Sequence, residues 1–246
     1  MSENIVNILG CNINTYTMKE TVDKVEKIIS ERKVTHHIVV NAAKIVMMQK
    51  DHKLQEIINS CGFVNPDGQS IVWASKFLGK PLPERVAGID LMLNLIEISA
   101  EKGYRIFFLG AHKETIEKVV QVLGSKYINL QIAGYRDGFF SEEENDAIVK
   151  QINASNADIL FLGISSPKKE YWLAQNLNKL NVPFCMGVGG SFDVIAGLTK
   201  RAPSWMQMVG LEWFYRLIQE PKRMWKRYLI GNSIFLWLVL KEKLFD

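Results

Sequence analysis

Short uninterrupted apolar runs alternate along this chain with longer stretches in which apolar positions recur every three or four residues. His37–Val40, Phe63-Val64, Arg105–Gly110, Asp158–Gly163 and Pro183–Val188 read as strands buried on both faces. Between them, Val22, Val25, Ile28 and Ile29 recur with helical spacing, as do Ile45, Val46 and Met48, then Leu91, Leu95, Ile96 and Ile98, then Ile116, Val119, Val120 and Leu123. Thr17–Glu20 and Ser141–Glu144 are capping-box patterns that start helices. Leu130–Ala133 reads as a further strand closed by Gly134, and Ile5–Leu9 with Ile13 as a small hairpin around Gly10. Strands alternating with helices at this spacing predict an α/β fold, a Rossmann-like parallel sheet with helices on both faces. The expected division is a core over residues 1–199 and a C-terminal amphipathic helical appendage over 200–246.

Composition adds little until it is divided. The 246 residues are 48% hydrophobic and 23% charged, an ordinary globular balance. Cys11, Cys61 and Cys185 are far apart and form no CxxC, which points to a reducing compartment. The four histidines show no metal-binding spacing. The first ten residues lack a basic segment followed by an apolar one, so no signal peptide is expected and the protein is expected to stay in the cytoplasm. From Lys200 onward nine basic residues face four acidic ones, a net +5 that leaves the first 199 residues at −1 of the chain's total +4. A basic tail attracts nucleic acid or an anionic membrane.

The pattern within the tail discriminates between these. Trp205, Met208, Val209, Trp213, Leu217 and Ile218 form a helical apolar stripe, and Pro221 then interrupts it as a helix start. In a continuous helix Arg216, Arg223 and Arg227 fall within roughly 40° of one another. Tyr228–Leu240 is apolar except for Gly231, Asn232 and Ser233. Thirteen helical residues reach only ~20 Å, short of the ~30 Å hydrocarbon core. Two readings stand: an interfacial segment on anionic lipid, or packing on its own domain or a neighbouring subunit of a homo-oligomer. Nucleic acid is disfavoured, because the basic residues are interleaved with long aliphatic runs.

The candidate chemistry sits at strand ends. Asn65-Pro66-Asp67-Gly68 follows a strand and precedes the helical pattern Ile71, Val72, Ala74, Phe77, Leu78. Pro66 stiffens the bend, and Gly68 is expected to supply positive φ. A carboxylate there can accept a proton from a substrate hydroxyl, or simply cap the helix; both readings stay open. Asn41, Gly163–Lys169 and Gly187–Asp193 also end strands, and in a parallel sheet such ends open on one crevice. Gly187, Gly189 and Gly190 admit a pyrophosphate to backbone amides, or serve tight packing. Arg85 and Lys169 are phosphate candidates or salt-bridge partners. No Asp-x-Asp is present, so no metal and no cofactor are expected; arginine, lysine and amides would neutralise a leaving diphosphate.

Several phrases together resemble the WecG/TagA/CpsF family of bacterial glycosyltransferases over nearly the whole chain. They are Asn65–Gly68, Glu84–Asp90, Ser166–Glu170, Gly187–Asp193 with Ala196-Gly197, Lys200–Pro203, and Gly210–Trp213 with Tyr215–Leu217. The resemblance implies a metal-independent, inverting transferase. It would move an N-acetylmannosamine-type hexose from a UDP-sugar to a polyprenyl-diphosphate-linked sugar for wall teichoic acid or another surface polysaccharide. It implies Asp67 as the general base, with Asn41 and Arg85 in the same pocket. Lys169, Gly163, Gly187, Gly189, Gly190 and Asp193 would bind substrate, and Arg216, Arg223 and Arg227 would complete the site over the diphosphate. A lipid-borne acceptor implies a location on the inner face of the cell membrane. Two positions depart from the family's pattern. Val39 stands where a Thr is common, and Lys169 replaces the Gln of a Pro-Lys-Gln-Glu motif. These departures leave a rival expectation, a non-catalytic nucleotide-sugar-binding or scaffold protein at the membrane.

Overall fold

The computed structural model describes residues 5–245. A hairpin of β1 (Ile5–Ile8) and β2 (Cys11–Asn14) opens the fold, turning at Leu9-Gly10, where both residues take positive φ. There follow α1 (Met18–Glu31), β3 (Thr35–Val40), α2 (Ala42–Met48), α3 (His52–Ser60), β4 (Phe63–Pro66), α4 (Gln69–Phe77) and α5 (Gly88–Lys102). The middle of the chain gives β5 (Arg105–Gly110), α6 (Lys113–Lys126), β6 (Gln131–Arg136), α7 (Asn145–Ala154), β7 (Ile159–Gly163), α8 (Lys168–Asn176), β8 (Phe184–Gly187) and α9 (Ser191–Ile195). The last stretch holds α10 (Ser204–Met208), α11 (Glu212–Gln219), α12 (Pro221–Trp225) and α13 (Gly231–Phe245), the final two joined by a π-helical turn over Lys226–Ile230. Six strands form one parallel sheet in the order β4-β3-β8-β7-β5-β6, flanked by helices, as the alternating pattern predicts.

The chain divides into two compact units. One contains the residues up to Met18, Val39–Ala87 and the segment from Thr199 onward; the other contains Lys19–Ile38 and Gly88–Leu198. In the second unit, Phe107, Leu109, Leu160, Leu162 and Cys185 of the strands pack against Ile148, Ile152, Trp172 and Leu173 of α7 and α8. β6 does not stop at Gly134 but runs on to Arg136. Gly134 is there for space, since a Cβ would lie 2.7 Å from the Phe107 ring.

In the first unit the hairpin is tied to β4 by the Asn14 side chain, whose Oδ1 accepts the Val64 amide at 2.8 Å. The tail is closed on itself near its start and bound to the rest of this unit through α13. The Lys200 amide and carbonyl clamp the Gln219 side-chain amide at 3.1 and 2.9 Å. α13 packs on α2 and buries Phe235 and Val239. Glu242 then accepts from the Leu9 amide at 2.8 Å and from Lys80 Nζ at 2.9 Å. Phe235→Ala should therefore cost about 3–5 kcal/mol.

The tail is interrupted where Pro221 marks a helix start. Glu220 leaves helical geometry (φ −129, ψ 61), and Pro221 starts a new helix at its first position. Arg216 thus belongs to α11, Arg223 to α12 and Arg227 to the π turn, so the 100°-per-residue alignment does not apply. Arg223 pairs with Glu220 at 2.9 Å, and Arg227 lies 5.8 Å from the centre of the Tyr228 ring. Among the described residues no helix is long and apolar enough to cross a membrane.

Candidate active site

In the first unit, β4 is buried throughout and delivers the chain to Asp67. The Asp67 amide donates to the Val40 carbonyl at 2.7 Å, which pins the turn to the end of β3. One residue beyond Val40, Asn41 caps α2, its Oδ1 accepting from the Lys44 amide at 3.1 Å. Its other side-chain atom, Nδ2, donates to Asp67 Oδ2 at 3.3 Å. One asparagine thus ends a strand, starts a helix and orients the carboxylate. The N-cap of α4 is Gly68 and takes no side-chain cap, so Asp67 lies one position before the capping site. Gly68 has φ −98 rather than the expected positive value. Its lack of a side chain is used for approach, since a Cβ would sit 3.3 Å from Asn41 Cβ. Asp67 itself remains part-exposed beside fully buried Asn65.

The loop after α4 is held at the same place, with the Val86 amide donating to the Pro66 carbonyl at 2.8 Å. Arg85, the preceding residue, forms an ion pair with Glu212 at 3.1 Å, the two side chains only 15% and 22% exposed. Glu212 starts α11. Sequence reasoning passed over Glu212 as a functional residue, because nothing local marks a partner 127 positions away. It passed over Lys44 too, a buried lysine whose Nζ donates to the Val39 carbonyl at 2.7 Å. Lysines on helices ordinarily face solvent, so periodicity gives no signal for it.

In the second unit the strand ends are stripped of side chains. Gly110 has φ +130, and a Cβ there would lie 2.7 Å from the Gly163 backbone. At Gly163 a Cβ would strike the Phe192 ring, and at Gly187 it would lie 2.5 Å from Lys169 Cδ. The Lys169 side chain therefore crosses a floor of bare backbone. Its Nζ pairs with Glu170 Oε1 at 3.1 Å and also contacts Ser166 Oγ, which donates to the same carboxylate oxygen at 3.0 Å. Lys169 and Glu170 are both buried. The amides of Val188 and Gly189 already donate to the Leu162 carbonyl at 2.8 and 3.3 Å, and α9 has only five residues. Gly187 therefore makes room beneath a cation, and Gly189, with φ +53, makes the left-handed turn rather than offering a free donor. Gly190 brings its backbone beside Asp193, with a built Cβ 3.6 Å from Oδ2. Among the described residues no group of three or more His, Cys, Asp or Glu side chains gathers as a metal site.

The two clusters lie one in each unit. Asn41, Asp67 and Arg85 are held within residues of the first, and Gly163, Lys169, Gly187, Gly189, Gly190 and Asp193 belong to the second. Arg216, Arg223 and Arg227 lie in the tail portion of the first unit.

Comparison with known proteins places the chain among characterised relatives. The sequence model described as the glycosyl transferase WecG/TagA/CpsF family matches residues 6–246. Over 243 residues the chain is 36% identical to the N-acetylglucosaminyldiphosphoundecaprenol N-acetyl-beta-D-mannosaminyltransferase of Bacillus subtilis (strain 168), covering 98% of this chain and 93% of that protein. It is 31% identical to the Staphylococcus aureus (strain MW2) protein of the same name over 240 residues, covering 97% of this chain and 93% of the relative. With a match that runs almost end to end, the chain belongs to the WecG/TagA/CpsF family of glycosyltransferases.

Proposed function

We propose that this protein transfers an N-acetylmannosamine-type hexose from a UDP-sugar to a sugar carried on a polyprenyl diphosphate, with inversion and without a metal ion. The observation that carries the reading is the Asp67 carboxylate, part-exposed on a turn fixed by Val40 and Asn41. Relatives whose names specify transfer of an N-acetyl-β-D-mannosaminyl group to N-acetylglucosaminyl-diphosphoundecaprenol support the substrate class.

In this mechanism Asp67 accepts the proton of the acceptor hydroxyl as its oxygen attacks the anomeric carbon of the donor. The carbon–oxygen bond to the diphosphate breaks, and its electron pair leaves with UDP. Asn41 holds the base in orientation. Lys169, against the Gly187 backbone, supplies positive charge for the donor's diphosphate, and Gly163, Gly189, Gly190 and Asp193 belong to the same binding region. Arg85 is oriented by Glu212, while Arg216, Arg223 and Arg227 meet anionic oxygens of the lipid-linked substrate or its membrane.

The tail supports action at a bilayer. Trp205, Met208, Ile218, Trp225, Leu236 and Trp237 are all exposed, and lysines lie over Trp225 and Trp237. Apolar side chains ringed by amines suit the interface of an anionic membrane, where the protein would bind peripherally on the cytoplasmic face.

The test is direct. Purified protein is given radiolabelled UDP-N-acetylmannosamine and N-acetylglucosaminyl-diphosphopolyprenol in liposomes, with chelator present. Labelled disaccharide-lipid is the expected product. Failure to form it with any UDP-hexose, while a UDP-sugar still binds, would favour a non-catalytic nucleotide-sugar-binding protein.

A further inference from the structure

One charged group of the first unit has no task in the mechanism above. Lys44, on α2, is buried, only 5% exposed, and its ammonium donates to the Val39 carbonyl at 2.7 Å. Lysine is rarely buried, because its charge is costly to take out of water. A methionine would fill much the same space without that cost, so packing alone does not account for the ammonium.

The sheet explains why this carbonyl needs a donor. On β3, Val40 gives its carbonyl to the Asp67 amide at 2.7 Å, and neighbouring carbonyls of an extended strand point to opposite edges. The Val39 carbonyl therefore points away from β4. On that side the pairing of β3 with β8 runs only as far as His37–Met186, so the ladder has ended before Val39. A buried carbonyl must still be satisfied, and the Lys44 ammonium reaches it. Lys44 also acts through its backbone. Its amide donates to Asn41 Oδ1 at 3.1 Å, which leaves Asn41 Nδ2 to face Asp67 Oδ2 at 3.3 Å. One residue thus fastens Val39 and Asn41, the two neighbours of the carbonyl that pins Asp67.

We infer that Lys44 is a positioning residue for the base, acting on Asp67 through Val39, Val40 and Asn41. This rests on the transferase reading and deepens it. The ammonium fixes the end of β3 beside the turn, so the carboxylate keeps one orientation toward the acceptor hydroxyl as it takes up and releases a proton. A misplacement on the order of 1 Å can cost about 10²-fold in rate. Loss of the ammonium should therefore act on the chemical step and spare donor binding.

The experiment is a double-mutant cycle on the full chain, read as single-turnover transfer from saturating UDP-N-acetylmannosamine to N-acetylglucosaminyl-diphosphopolyprenol. Lys44→Met should lower the rate about tenfold with donor affinity unchanged. In the Asp67→Asn background the same substitution should change the rate by less than about twofold, because the group it positions is gone. Ile58→Ala, a change at a fully buried position of α3, controls for lost stability and should leave the rate of folded protein within about twofold in both backgrounds. If Lys44→Met yields no folded protein, Lys44→Gln, neutral and shorter, takes its place in the cycle. A second cycle needs no turnover. In protein with isotope-labelled asparagine, Asp67→Ala should shift the Asn41 side-chain amide signals, assigned by their loss in Asn41→Ala. In the Lys44→Met background that shift should largely vanish. An equal loss of rate in both Asp67 backgrounds would overturn the inference. So would a loss confined to donor affinity, a matching loss in Ile58→Ala, or transfer by Lys44→Met at the wild-type rate. Absence of transfer by wild type would count against the transferase reading itself, and the amide signals would then decide whether Lys44 holds Asn41 to Asp67.

Discussion

The turn at Asp67 and the turn at Lys169 each bring one ionisable group close to the end of a parallel strand, but they hold it differently. Asp67 is fixed through its backbone, by the 2.7 Å bond to Val40, and its carboxylate is met by a neutral amide at 3.3 Å. Lys169 is fixed through its charge: the ammonium is buried, paired with Glu170 and in contact with Ser166. A base must gain and lose a proton within each cycle, and a backbone anchor holds its position whatever its protonation state. A group that only neutralises phosphate gains from fixed orientation, and burial strengthens its field. Under the proposed mechanism this is the difference between a proton carrier and a placed charge.

Substitutions can break this contrast. The larger stability effect of the two is expected at Lys169→Met, which takes the ammonium away from the buried Glu170 carboxylate and should cost about 3–5 kcal/mol in urea denaturation. Asp67→Asn, on a part-exposed turn, should stay within about 0.5 kcal/mol. Equal losses at both sites would erase the distinction. Next comes Glu212→Ala, which removes the partner of mostly buried Arg85 and should cost about 1–3 kcal/mol. Asn41→Ala removes a helix cap as well as the brace on the carboxylate. It should cost about 0.5–2 kcal/mol and lower kcat less than loss of Asp67 itself.

At neutral pH the smallest effect is one that develops only in alkali, is shared and compares the two units. Burial pushes the thiols of Cys11, in the first unit, and Cys185, in the second, from the ordinary 9.0 up to about 12. The unfolded chain therefore sheds those protons first. Both contributions to stability are complete below about pH 9 and are lost as pH rises toward 12. The urea midpoint should fall above pH 9 and fall less steeply in Cys11→Ala or Cys185→Ala. Both thiols should resist alkylation in the native protein at pH 8.

Much of the fold was legible because a parallel sheet writes its strands as unbroken apolar runs, and Ile159–Leu162 could be little else. The turn at Asp67 was legible for a related reason, since Pro66 and Gly68 punctuate the passage from strand to helix. Gly134 misled because glycine more often ends a strand than makes room for a ring inside one. Gly68 misled in the same way: the chain needed proximity to Asn41, not a left-handed bend. The relative setting of the tail arginines was not legible, because a 100° rule holds only within one helix and carries no information about Glu220, where the backbone leaves it. Ion pairs were the least legible. Glu170 adjoins Lys169 in sequence, but burial of both decides that they pair, and burial is a property of the assembled core. Glu212 reaches Arg85 only once the tail has folded onto the first unit.

The most direct test of Asp67 as the base is the single-turnover rate of Asp67→Asn with saturating UDP-sugar and lipid-linked acceptor, alongside donor affinity on the same sample. The expected result is a fall in rate on the order of 10²–10⁴-fold with donor affinity unchanged. Transfer at the wild-type rate would contradict the assignment and return Asp67 to an ordinary turn residue.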